Sequence, residues 1–114
     1  MKVLYLSDDY VFRNEIKRKG EKLGIEFYFE NEGKSKGYDV IVVGSYFKGE
    51  VPPCPLILEE SVMGLKGRKE SNGVIKPLIT NKGMEELLHA YETYTRERER
   101  RAIYTRYRSY TQSF

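Results

Sequence analysis

Apolar residues recur along this chain in two rhythms. Lys2 to Leu6 (KVLYL), Tyr38 to Gly44 (YDVIVVG) and Pro55 to Glu59 (PLILE) are short, nearly unbroken apolar runs of strand length. From Tyr10 to Leu23, and again beyond Asn81, apolar positions return every three or four residues, as on one side of a helix. The YDVIVVG run has no polar residue alternating inside it, which predicts a central strand buried on both faces with helices above and below. In the first helix Val11, Phe12, Ile16 and Leu23 share a side. Ser7, Asp8 and Asp9 stand where they can cap it, and Gly24 stops it. Ile25 to Glu30 (IEFYFE) alternates well enough for a half-exposed strand near a sheet edge, and Val74-Ile75 is a minimal fifth strand. The last helix, capped by Thr80 or Asn81, carries Met84, Leu87, Leu88 and Tyr91 as a packing stripe that reaches about Tyr94. Between these elements the polar stretch 31–37 is too short for a helix and 45–53 shows none. Glu60 to Leu65 has room for one or two helical turns, and Gly67 to Gly73 reads as a mobile charged loop.

A chain of 114 residues has room for one domain with a proper core. Composition changes along the last helix: the basic residues from Lys69 to Lys82 are all Lys, and those from Arg96 onward are all Arg. That places a boundary near Thr93, with an α/β domain over 1–93 and an Arg/Tyr-rich helical extension or tail over 94–114. Net charge is only +3, so the distribution of charge says more about partners than its sum. The single cysteine, Cys54, has no intramolecular partner and fits a reducing interior. No apolar run approaches a membrane span, and together these features lead us to expect a soluble, cytoplasmic protein. Many Lys, Glu, Arg and Tyr beside one Gln lean towards a heat-adapted source.

Two features carry candidate chemistry. Asp8 and Asp9, adjacent at the carboxyl end of a strand, could hold Mg²⁺ weakly with water completing the octahedron. The simpler reading is that they cap the first helix, one of them pairing with Lys76. Ser7 and Ser45 lack a general base, because the only histidine, His89, lies on the last helix, and no glycine set follows a strand with nucleotide-loop spacing. We therefore expect no enzyme mechanism and no cofactor beyond weakly bound Mg²⁺. The second feature is TRERERRAIYTRYRSYTQSF, in which Arg96, Arg98, Arg100, Arg101, Arg106 and Arg108 are interleaved with Tyr104 and Tyr107. Arginine forks fit phosphates and tyrosine stacks on bases, so this stretch suits DNA or RNA. Its helical stripes suit the same stripe of a second chain equally well, and both roles can coexist in a homodimer.

The order of elements resembles that of response-regulator receiver domains. Asp8-Asp9 stand where that family keeps its acidic pair, YDVIVVG is similar to its phosphoacceptor strand, and NGVIKPLITNKGMEELLHAY resembles its closing segment, with Lys76 before Pro77. The resemblance covers residues 2 to about 92. It implies a flavodoxin-like parallel sheet in 2-1-3-4-5 order, here with reduced crossover helices and an extended last helix. Gly44 occupies the phosphoacceptor position, Lys76 has no phosphoryl group to meet, and Glu59 or Glu60 stands in place of a hydroxyl residue. The implied protein is a pseudo-receiver: a regulatory, signal-transduction module that works without phosphorylation and forms a homodimer through its last strand and helix. The alternative is a small nucleic-acid-binding protein that uses the Arg/Tyr extension.

Overall fold

The computed structural model describes the backbone of residues 1–9, 11–31 and 37–112, and the side chains of those residues up to 103. The apolar run Val40–Val43 forms β3, the middle of a five-stranded sheet. The other strands are β1 (Lys2–Leu6), β2 (Glu26–Tyr28), β4 (Ile57–Glu60) and β5 (Gly73–Ile75); α1 (Arg13–Lys22) links β1 to β2, and α2 (Asn81–Gln112) follows β5. Every pairing is parallel and the order is β2-β1-β3-β4-β5, the α/β, flavodoxin-like arrangement expected from the sequence. The connection 31–37 lies mostly outside the described residues. Among those described, no helix is long and apolar enough to cross a membrane.

β3 is buried on both sides, but not in the way its composition suggested. Side chains alternate across a strand, so Val40 and Val42 point to one face of the sheet and Ile41 and Val43 to the other. The first face joins Val3, Tyr5, Leu56 and Leu58 to Ile16 of α1 and to Met84 and Leu87 of α2. The second face holds Leu4, Leu6, Ile41, Val43 and Ile57, and what packs over them is Tyr28, Tyr38, Phe47, Val51 and Cys54. Both described helices thus lie on one face, and the expectation of helices above and below the sheet is corrected: loop residues, with Tyr28 of β2, seal the second face. Two contacts hold that cover in place. Buried Glu59 accepts the N–H of Gly67 at 2.7 Å and the hydroxyl of Ser71 at 3.1 Å. Arg68 lies over the Phe47 ring, 5.9 Å from its centroid, and donates to the Phe47 carbonyl. The stretch Gly67 to Gly73, read as a mobile loop, is therefore anchored by a buried carboxylate. No helical turn follows Glu60; the chain bends there and passes through Gly64 at a φ of +70°.

α1 begins at Arg13, later than the pattern predicted. Phe12 occupies its N-cap position without a side-chain cap, because Ser7 and Asp9 are engaged in the turn before it. Its end follows the sequence closely. Gly24 takes a φ of +74°, its N–H reaches the Glu21 carbonyl at 3.3 Å, and Ile25 N–H reaches that of Gly20 at 2.8 Å, a Schellman pair of bonds. Gly20 lets α1 sit on the sheet: a Cβ there would lie 2.5 Å from the Phe27 ring.

α2 starts where the sequence placed it. Thr80 accepts the N–H of Gly83 at 3.0 Å through its hydroxyl, which satisfies one of the helix's free amino-terminal donors. Met84 and Leu87 are buried and Leu88, Tyr91 and Tyr94 half-buried, whereas every residue from Arg96 to Ile103 is exposed. The helix nevertheless runs unbroken through Thr93 to Gln112, and the molecule is 60 Å long and 29 Å across.

Candidate functional site

The carboxyl ends of β1, β3 and β4 meet around one cleft of about 520 Å³. Parallel strands bring their carboxyl ends to the same edge, and the loops leaving that edge are where such sheets form binding crevices. Gly44 N–H donates to the Leu6 carbonyl at 2.7 Å, which carries the β1–β3 pairing one residue further and sets Ser7 against Gly44. A Cβ on Gly44 would lie 3.2 Å from the Ser7 hydroxyl oxygen and 3.3 Å from the Leu6 carbonyl, so Ser7 takes up part of the space that a side chain at position 44 would need.

Asp8, Asp9 and Gly44 all line this cleft, as the sequence placed them. Lys76 does not line it. It is exposed, and no ion pair joins it to Asp8 or Asp9 among the described residues, so the expected bridge across the site is corrected. The physical reason lies in the backbone that follows: Pro77 and Ile79 turn in to form the wall, and the Lys76 side chain stays in water. The two aspartates are not equivalent. Asp9 accepts the Val11 N–H at 3.0 Å and the Ser7 hydroxyl accepts the Asp9 N–H at 3.1 Å, which fixes the turn ahead of α1. Asp8 is exposed and has no side-chain partner among the described residues. Two carboxylates can hold a hydrated Mg²⁺ weakly, but no group of three metal-ligating side chains exists among the described residues.

The floor of the cleft contains a pair that sequence reading missed. Tyr5 donates its hydroxyl to Glu60, whose other carboxylate oxygen accepts the Leu78 N–H at 2.6 Å; Glu60 is only 7% exposed. Burial pushes the Glu60 carboxyl above its ordinary range, partly opposed by these two donors. The Tyr5 phenol is pushed up as well, by burial and then by the neighbouring carboxylate. Ser45 donates to the Glu60 carbonyl at 2.7 Å. The signal for this pair was present in the LEE that ends β4: successive residues point to opposite faces, so Glu59 and Glu60 enter different layers and take different partners. The partners themselves were hidden, since Tyr5 and Leu78 lie far away in sequence.

A second concavity, a groove of about 650 Å³, runs along the sheet's β5 edge and α2. Leu56, Leu58 and Val74 form its floor, and Ala90, Thr93 and Tyr94 its helical wall, with Arg101 at its far end. His89 stands in this groove, well away from Ser7 and Ser45. Arg96, Arg98, Arg100 and Arg101 are all exposed on the projecting helix, and Arg98 lies over the Tyr94 ring, 5.8 Å from its centroid. Tyr104, Arg106, Tyr107 and Arg108 fall on the α2 backbone, but their side chains lie outside the described residues.

No family model, curated protein or solved structure matches this chain.

Proposed function

We propose that this chain is a phosphorylation-independent regulatory interaction module of receiver-like design, which pairs with a second copy through the β5–α2 face and the α2 extension. The observation that carries the reading is the groove beside β5. Its lining carries the partly exposed Val74, Ala90 and Tyr94, and β5 is an edge strand with no described strand beside it. The helix bordering it continues for about 27 Å past Tyr94, and its described residues from Arg96 to Ile103 are all exposed. A helical stretch without tertiary packing gains little from its own hydrogen bonds and is stabilised by a neighbour. Ala90, small and central in the groove wall, lets a second α2 approach closely, while Glu97 and Arg101 can pair across a two-fold axis. Gly44 supplies no carboxylate to accept a phosphoryl group, which accords with regulation by contact alone.

Sedimentation velocity over the micromolar range tests this directly. The intact chain should move as a dimer, and Ala90→Arg, which places a charge in the groove, should yield monomers with unchanged helical circular dichroism. A chain that stays monomeric throughout that range overturns the reading.

A second reading, nucleic-acid binding, rests on the four exposed arginines of the projecting helix. Labelled random-sequence duplex and single-stranded RNA, each at low and near-physiological salt, address it. Each arginine that neutralises a duplex phosphate steepens the log–log salt dependence by about 0.9. Absence of binding at low salt removes this reading.

A further inference from the structure

The apolar residues left in water are not scattered. Among the described residues, eight large hydrophobic side chains are strongly exposed, and six of them, Val11, Phe12, Tyr46, Val62, Met63 and Leu65, belong to the segments leaving the carboxyl ends of β1, β3 and β4. Tyr46 is 87% exposed and Val62 83%. Exposed apolar side chains gathered on one edge mark a contact surface, whereas single ones need no explanation. The cleft of about 520 Å³ opens among them. Its lining includes Asp8, Asp9 and Glu60, and among the described residues it contains no lysine, arginine or histidine. An anion would meet only carboxylates and hydroxyls there. A guanidinium would meet carboxylates that match its fork, and the rings of Phe12, Tyr46 and Phe47 to lie against.

We propose that this cleft receives an arginine side chain, together with its apolar neighbours, from the Arg/Tyr segment of a second copy's α2. The chain carries the complementary chemistry itself: arginines alternate with tyrosine and Ile103, which is 66% exposed, and every described residue from Arg96 to Ile103 is exposed. The contact cannot form within one molecule. Pro77 and Ile79 wall the cleft, α2 starts at Asn81 and runs away along the sheet, and Arg96 lies about 22 Å further on. The contact therefore runs from the projecting end of one copy to the strand-end edge of another. Such a head-to-tail contact is heterologous and gives a ring where its rotation closes and an open filament where it does not. It goes beyond the β5–α2 pairing and does not depend on it, since it uses the carboxyl ends of the strands and not the β5 side of the sheet.

The test is an NMR titration of the isotope-labelled full chain with an unlabelled synthetic peptide of residues 97–112. Saturable shifts at the amides of Asp8, Asp9, Tyr46 and Phe47 are expected. Affinity should fall about fivefold or more in an Asp8→Asn, Asp9→Asn variant, whose asparagine still accepts the Val11 N–H, and comparably for a peptide with glutamine in place of each arginine. Ala90→Arg should leave the peptide affinity unchanged, so failure of the two-fold pairing and failure of this contact are told apart. Shifts confined to the β5–α2 groove, equal affinity in the aspartate variant, or no shift at all would each overturn the proposal.

Discussion

Gly83→Ala is the substitution for which helix propensity and tertiary structure give opposite signs. Alanine in place of glycine inside a helix ordinarily gains about 1 kcal/mol. Here a Cβ would lie 2.1 Å from the Pro77 carbonyl oxygen and 2.5 Å from that of Lys76. A carbon–oxygen contact settles at about 3.3 Å, so the first turn of α2 would have to withdraw by roughly 1 Å. Both obstacles are backbone atoms and no side chain can rotate away. Withdrawal strains the Thr80 cap, whose hydroxyl meets the Gly83 N–H at 3.0 Å, and loosens Met84 and Leu87 in the core. Overpacking costs about 1–3 kcal/mol and a lost cap about 1 kcal/mol, against the gain of about 1 kcal/mol. The net is a loss of roughly 1–3 kcal/mol. With a urea m-value of about 1–2 kcal/mol/M for a domain of this size, the unfolding midpoint should fall by about 1 M. A variant as stable as its parent, or more so, would show that α2 does not rest on the Lys76-Pro77 backbone, and would remove the basis for the geometry of both grooves.

Three other outcomes follow from the buried carboxylates and Gly44. Because Glu60 holds its proton more tightly folded than unfolded, its contribution is fully present below the ordinary glutamate range and is lost as pH rises through the raised folded value. Glu60→Gln does not titrate, so its urea midpoint should gain on the parent as pH rises above the ordinary glutamate range; a gap independent of pH would refute the burial argument. Glu59→Ala leaves the Gly67 N–H and the Ser71 hydroxyl without their acceptor and should cost about 2–3 kcal/mol, with limited proteolysis appearing between Ser61 and Asn72; an uncut loop would count against the anchor. Gly44→Asp adds a third carboxylate beside Asp8 and Asp9 and should tighten Mg²⁺ binding in calorimetry while costing about 1 kcal/mol for crowding Ser7. An unaltered Mg²⁺ response would weigh against the receiver resemblance.

The arrangement of this fold is legible in the chain because period and length are local properties. Unbroken runs of strand length, a three-and-four stripe, and a glycine after the last helical turn each state an element without reference to the rest, while the parallel 2-1-3-4-5 order was what the receiver resemblance implied. The same reading brought Asp8, Asp9 and Gly44 to one edge, since they follow β1 and β3 directly. What it could not settle was which side each layer covers. An apolar strand such as β3 requires burial on both faces, but loop side chains bury as well as helices do, and only the packed structure shows Phe47, Val51 and Cys54 over one face and α1 and α2 over the other. Nor could local pattern pair Tyr5 with Glu60, fold Lys76 out of the cleft, or gather Val11, Tyr46 and Val62 on one rim. Those relations join residues far apart in sequence, and they exist only once the parallel sheet has carried the ends of its strands to a common edge.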